Sequence, residues 1–178
     1  MLDREKSIVS GAVRGEASAF GLLYDYYQPK IYRFIAIKVS RSEEAEDLTH
    51  QVFLNAWQNI KNYKNQGFPF SSWLYRIARN QVIDYYRTSK ETVDVEQVDP
   101  EYFAVPASIH FEVDNNLKIG EVRLAIEKLS PDYQDVIIMR FVEELSIKET
   151  ADTLQKSEGA VKLMQYRALK KLKELLTS

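Results

Sequence analysis

Apolar side chains recur every three or four residues along most of this 178-residue chain, and that period is the spacing of one face of an α-helix. Phe20, Leu23, Tyr24, Tyr27, Ile31, Phe34 and Ile35 follow it, as do Ala45, Leu48, Val52 and Ala56. Six glycines interrupt the chain, too few for a sheet joined by tight turns. Thr92–Val95 and Tyr102–Val105 are faintly strand-like but too short to build a sheet. The period predicts an all-α fold.

Helix punctuation divides the chain. A first helix is expected from about Leu2 to Val13, ending at Gly15, and a second from near Glu16, kinked or broken at Pro29. Ser40 with Glu43 reads as a capping box opening a third helix. Residues 61–72 read as a loop, and Ser72 to about Ser89 as a fourth helix. From residue 90 to about 115 the period is lost and Pro100 and Pro106 appear, which marks a linker. The period resumes from about Asn116 to Leu129. Ser130-Pro131 is a helix start, Ser146 with Glu149 is a second capping box, and a final helix runs from about Glu158 to Leu176. The expected organisation is two small helical domains, 1–90 and 116–178, joined by an acidic flexible linker, 91–115.

The total charge of −2 hides an uneven distribution. Residues 61–87 and 155–178 each carry +4, and residues 90–121 carry −6. Two basic zones flanking an acidic connector suit contact with a polyanion better than the total suggests. There is no cysteine, hence no disulfide framework or thiolate metal site. The mixed charges of Met1–Lys6 lack a signal-peptide pattern, and no apolar run is long enough for a membrane span. A soluble, cytoplasmic protein is expected. His50 and His110 lack partners at ligand spacing, and Glu43, Glu44 and Glu46 splay around a solvated helix face. There is no Gly-rich phosphate loop or nucleophile–base pair. Neither an enzyme, a metal, a cofactor nor a small-molecule substrate is expected.

Residues 146–176 have the form of a helix-turn-helix. A short helix, Ile147–Leu154, meets a tight polar turn, Gln155-Lys156-Ser157, and then a long helix. Close crossing needs a small residue on the first helix and a β-branched one early on the second, and Ala151 and Val161 fill those places. The turn favours glycine, which adopts positive φ without strain, but here holds Gln155. On a helical projection Val161, Met164, Ala168, Leu172, Leu175 and Leu176 share one side, opposite Lys162, Leu163, Tyr166, Arg167, Lys170 and Lys173. The first turns of such a helix reach base edges and later cations meet phosphates. Arg167 suits a guanine edge and Leu163 a thymine methyl. With Lys156 and Ser157 of the turn, these residues form the candidate duplex-DNA surface. An amphipathic helix with a solvated basic face would show the same stripe, and the preceding short helix and turn favour DNA.

A second constellation interleaves cations with Tyr63, Phe68, Phe70, Trp73, Tyr75, Tyr85 and Tyr86. Cations follow a phosphate backbone and aromatic faces stack on unpaired bases, so the pattern fits single-stranded DNA. The same spacing also fits a core, since Trp73 and Ile77 lie one turn apart.

Four runs, in this order, resemble the extracytoplasmic-function sigma factors, the small sigma-70 relatives that direct bacterial RNA polymerase to promoters. Residues 44–57 (EAEDLTHQVFLNAW) resemble their polymerase-binding helix. Residues 70–80 (FSSWLYRIARN) with 82–87 (VIDYYR) resemble their promoter-melting helix. Residues 129–141 (LSPDYQDVIIMRF) and 158–170 (EGAVKLMQYRALK) resemble their fourth region. The resemblance implies that Asp47, Gln51 and Phe53 dock on core polymerase, with Asp47 and Gln51 facing outward. It implies that Asn80 holds a flipped minus-ten base under the loop 63–70, with Arg76, Arg79, Asp84 and Arg87 completing that surface. Lys162, Tyr166 and Arg167 would read the minus-thirty-five element, and the acidic linker would thread the RNA exit channel. Core polymerase, promoter DNA and an anti-sigma protein are the implied partners. His50 and Leu163-Met164 depart from the family's usual residues, so the upstream sequence read cannot be carried over. A plain helix-turn-helix regulator is the alternative, but it leaves the aromatic, basic helix and the acidic linker without a role.

Overall fold

The computed structural model describes the backbone of residues 4–39, 41–64, 68–92 and 113–177. Eight α-helices make up the described fold, and no strand occurs among these residues. The first four are α1 (Glu5–Val13), α2 (Ala17–Ala36), α3 (Ser42–Asn59) and α4 (Phe70–Thr92), with a 3-10 turn at Ile60–Asn62. The last four are α5 (Val113–Glu127), α6 (Pro131–Ile137), α7 (Ile147–Leu154) and α8 (Glu158–Leu176).

In the first half, α1 and α2 form a hairpin at Gly15, whose φ of 90° is a backbone state that glycine enters freely. The helices approach closely at Gly11, where a Cβ would stand 2.8 Å from the Glu16 carboxylate and 3.0 Å from the Ala19 methyl. Helix α2 continues through Pro29, losing the one bond that residue would donate to the Asp25 carbonyl. The expected break is absent because the apolar face holds both sides of the proline: Leu23, Ile31, Phe34 and Ile35 are fully buried. Val52 and Ala56 of α3 and Leu74 and Tyr75 of α4 belong to the same buried core, and the Tyr75 ring meets Phe34 edge-on at 5.5 Å.

Helix α3 does not start as expected. It begins at Ser42, with Arg41 at the N-cap making no side-chain cap. Ser40 lies outside the described residues, and Glu43 meets the Arg41 guanidinium at 3.6 Å instead. Helix α4 starts two residues earlier than the sequence indicates, at Phe70, because Phe70 enters the core (3% exposed) and draws the first turn with it. The linker expectation for 91–115 and both strand-like runs fall largely outside the described residues, which resume at α5.

The second half keeps its punctuation. Pro131 opens α6 behind Ser130. One wider helical turn, Ile138–Val142, follows, closed by a bond from the Glu143 N–H to the Ile138 carbonyl (2.9 Å). The Ser146–Glu149 capping box forms with both of its reciprocal bonds, at 3.1 and 2.8 Å. Gln155 takes the left-handed turn conformation at φ 55°, and Ala151 and Val161 are buried where the two helices cross. Met164, Leu172 and Leu175 pack on the core as their stripe predicts, but Leu176 is exposed, since α8 outruns its neighbours there.

The two halves share one apolar core, with Ile126, Leu129, Val136, Met139 and Leu154 joined to the α1–α4 cluster. Helix α7 lies against the start of α4.

Candidate nucleic-acid and polymerase interfaces

The first interface is a cleft of about 220 Å³ lined by Asn62, Tyr63, Lys64, Phe68, Trp73 and Arg76. That is smaller than the about 300 Å³ at which pockets for drug-sized ligands begin. Its wall is aromatic because Phe70 is driven into the core, and Tyr63 and Trp73 lean on it with ring centroids 5.7 and 5.5 Å away. Tyr63 and Trp73 in turn lie 5.2 Å apart. The Tyr63 hydroxyl donates to the Phe68 carbonyl at 3.0 Å, which ties Phe68 to the cleft wall. Burial, then the charge of Glu5, pushes the Tyr63 phenol up from its ordinary value. The cleft thus has stacking faces, with Lys64 and Arg76 on its rim.

This arrangement departs from the sequence-based expectation in several places. Phe70 is a supporting residue under the cleft and cannot touch a base. Asn80 is exposed but does not line the cleft; it sits one turn beyond Arg76. Lys64 and Phe68, on either side of residues 65–67, which lie outside the described residues, line the cleft with Trp73 and Arg76. Asp84 and Arg87 are exposed and paired with each other at 3.1 Å. Arg79 already has partners, at 2.7 Å to Asp135 and 3.0 Å to Asp132. Burial lowers the basicity of Arg79, and the hydrogen bonds and negative charges of Asp135 and Asp132 together more than reverse that.

The second interface is the outer face of α8. Lys162, Leu163, Tyr166, Arg167 and Lys170 are all exposed, Tyr166 by 67%. Lys156 is exposed in the turn. Ser157 is engaged within the fold, because its hydroxyl caps α8 by accepting from the Ala160 N–H at 3.2 Å. One lone pair serves the cap, and the O–H remains able to donate to a phosphate. Tyr166 is an exposed aromatic beside Lys162 and Arg167, which suits groove contact more than solvent.

The third interface lies on α3. Asp47 and Gln51 are exposed, as expected. Phe53 is not available, being 4% exposed with its ring 4.8 Å from Tyr24. At 100° per residue, Phe53 points about 120° away from Asp47, whereas Leu54 falls within about 20° of it. Leu54 is half exposed on the Asp47–Gln51 stripe, and Trp57, 39% exposed, stands beside it against Phe20. Projection of the sequence carries the signal for Leu54, and reliance on the motif hides it.

Among the described residues, no cluster of histidine and carboxylate side chains could hold a metal, and no helix is long and apolar enough to cross a membrane.

Comparison with known proteins adds three findings. Residues 23–92 match the family described as Sigma-70 region 2, and residues 119–172 match Sigma-70, region 4. The chain is 39% identical to the ECF RNA polymerase sigma factor BldN of Streptomyces coelicolor, over 97% of this chain and 66% of that protein, so it spans about two thirds of that relative's length. It is 30% identical to the ECF RNA polymerase sigma factor SigX of Bacillus subtilis, over 87% of this chain and 82% of that one. Its fold matches the sigma factor RpoE solved in complex with the anti-sigma factor NepR from Bartonella quintana. The TM-score is 0.69, at 24% identity, covering 89% of this chain and 96% of that one.

Proposed function

Because this chain belongs to the extracytoplasmic-function sigma factors of the sigma-70 family, promoter-directing initiation factors of RNA polymerase, we propose how its three surfaces divide that work. The face of α3 bearing Asp47, Gln51 and Leu54 docks on core polymerase. The cleft of Tyr63, Phe68, Trp73 and Arg76 receives a base of the opened minus-ten strand, and Asn80, Asp84 and Arg87 continue the track along α4. The outer face of α8, with Lys162, Leu163, Tyr166, Arg167 and Lys170, reads the minus-thirty-five element as duplex. The units are 1–90 and 116–178, with the acidic segment 91–115 between them, and the chain works in the cytoplasm beside polymerase.

The observation that carries this reading is the aromatic cleft at the start of α4. A duplex reader needs no such cleft, because paired bases offer only their edges. A base that has left the stack offers its faces, and stacking on an aromatic side chain is worth about 1–3 kcal/mol. Since the solved sigma factor of similar fold is bound to an anti-sigma factor, a protein of that kind is the natural inhibitor of this chain.

Transcription in vitro with core RNA polymerase and a pool of promoter fragments tests the division. Trp73→Ala is expected to abolish strand opening while leaving polymerase binding intact. Arg167→Ala is expected to cost about 1–3 kcal/mol in recognition of the upstream element. Equal loss of polymerase binding and opening in Trp73→Ala, or unchanged upstream preference in Arg167→Ala, overturns the assignment.

A further inference from the structure

Arg33, Arg79 and Arg123 each end on a carboxylate, but the half-buried Arg140 does not. The contacts of its guanidinium among the described residues are to neutral acceptors. Its Nε donates to the Gln165 amide oxygen at 3.0 Å, and its Nη1 donates to the Leu145 carbonyl. Arg140 stands in the wider turn Ile138–Val142, whose i→i+5 bond is of a kind frequent at functional sites. Beyond that turn Glu144 takes a left-handed φ of 56° and reverses the chain. The Leu145 N–H then donates to the Met139 carbonyl at 2.8 Å, while the Leu145 carbonyl receives Arg140. Leu145 is thus held from both sides, one residue before the Ser146 cap of α7. One guanidinium therefore joins the end of α6, the start of α7 and the middle of α8.

At 100° per residue Gln165 lies about 60° from Lys162 and about 40° from Val161, on the seam between the basic face of α8 and its buried stripe. Val161 and Ala168 are fully buried and press the helix onto its neighbours. Apolar burial has no direction of its own, so it resists lifting of α8 more than its roll. A hydrogen bond at the seam is directional and resists the roll. The guanidinium has no acceptor, so Gln165 has to turn its oxygen to Arg140. At a radius of about 6 Å, a roll of about 10° carries the side-chain tips through about 1 Å. That is enough to weaken paired hydrogen bonds to a base edge, which need near-linear geometry.

Resting on the assignment of α8 to the minus-thirty-five duplex, we propose that Arg140 is a positioning residue for sequence readout. Through Gln165 and Leu145 it sets the roll of α8 relative to the start of α7, and with it the aim of Leu163, Tyr166 and Arg167 into the groove. It does so without touching a base. A phosphate contact at Arg140 would instead strengthen binding to every sequence alike and add about one unit to the salt slope. A contact that only holds the fold together would change occupancy at every sequence by the same factor. Positioning alone changes the ratio between sequences.

The test uses holoenzyme assembled from core RNA polymerase and the full chain, presented with a promoter library randomised across the upstream element. Preference is read as the ratio of strongest to mean occupancy. Arg140→Met and Gln165→Leu are each expected to lower this ratio about tenfold, the size of one well-aimed base contact. Combined, they should lower it no further, because both break the same contact. Gln165→Glu should keep the ratio, since a carboxylate accepts from the guanidinium where the amide did. If Arg140→Met does not fold by circular dichroism, the two Gln165 variants decide the matter between them. A ratio retained in Gln165→Leu, or lost in Gln165→Glu as fully as in Gln165→Leu, overturns the proposal. So does an Arg140→Met holoenzyme that keeps its ratio while its salt slope falls by about one, the mark of a phosphate contact. A wild-type holoenzyme with no upstream preference overturns the assignment of α8 itself, and the proposal falls with it.

Discussion

Asp135→Asn isolates the strongest element of the contact between the two halves. The side chain of Lys38 is 5% exposed in the closed structure, and Asp135 is its carboxylate partner. The Phe34 ring, 5.1 Å from the ammonium, offers some cation–π attraction but no countercharge. Removing one partner of a buried pair costs about 3–5 kcal/mol, because the remaining charge is stranded. That penalty applies only while the chain stays closed, since opening returns Lys38 to water. It therefore shifts the closed-to-open ratio by about two to four powers of ten. Arg79 keeps Asp132 throughout. Small-angle scattering reads the result directly: a compact chain of 178 residues has a radius of gyration of about 16 Å. The wild type is expected close to that value and Asp135→Asn well above it, with helix content by circular dichroism unchanged. Lys38→Met with Asp135→Leu should restore compactness, because an apolar pair of similar volume replaces the ion pair without desolvation cost. An Asp135→Asn protein with the wild-type radius and melting temperature would refute the reasoning.

Other outcomes hang on single residues. Phe53→Ala should destabilise the fold by about 3–5 kcal/mol as measured by urea unfolding, whereas Leu54→Ala should leave stability nearly unchanged and weaken capture of core polymerase. The reverse pattern would return Phe53 to the docking surface. Gln155→Gly should stabilise by about 1 kcal/mol by relieving the left-handed turn, seen as a higher melting temperature. Burial, and secondly the charges of Glu5 and Glu143, raise the phenols of Tyr27 and Tyr75 far above their ordinary value of 10.0. Their contribution is full below pH 10 and declines above it as the unfolded chain ionises, by about 2.7 kcal/mol per pH unit for two protons. Alkaline unfolding should thus coincide with the ultraviolet signal of tyrosinate, and ionisation of all tyrosines in a folded chain would contradict it. Burial raises the Asp152 carboxyl against the pull of Lys148 and Arg76, and its Oδ2 is buried without a hydrogen bond among the described residues. A raised carboxyl penalises folding above the ordinary carboxylate range and not below it, so Asp152→Asn should raise the melting temperature at pH 7 and lose that advantage near pH 4. A gap that widens in acid would contradict the cause.

The all-α fold, the helix-turn-helix and its capping box were legible because they rest on local chemistry: a period, a cap, a buried Ala151 against Val161. The cationic face of α8 was legible for the same reason, since a surface helix keeps its sides as its projection draws them. Phe53 and Phe70 were misplaced because an aromatic residue in a functional motif looks the same whether it touches a ligand or supports the residues that do. Only the packing of Tyr24 on Phe53, and of Tyr63 and Trp73 on Phe70, separates the cases. The start of α3 is missed because Ser40 and Glu43 have the spacing of a cap while the helix begins one residue later, with Arg41 at the N-cap.

The destination of the basic charge was the least legible feature, since it depends on residues far apart in sequence. The linear pattern of two basic zones and an acidic connector says nothing of which acids meet Arg33, Lys38 and Arg79. In the described structure Arg33, Lys38 and Arg79 are answered by Asp132, Asp135 and Glu143, which lie beyond that connector. These three acids sit among Val136, Ile138 and Met139, all fully buried, in a stretch that reads as core helix. Asp135 and Glu143 can be buried there only because cations from the other half arrive to meet them. The same carboxylates that let the second half pack on the first therefore leave Arg33, Lys38 and Arg79 partnered in the described structure.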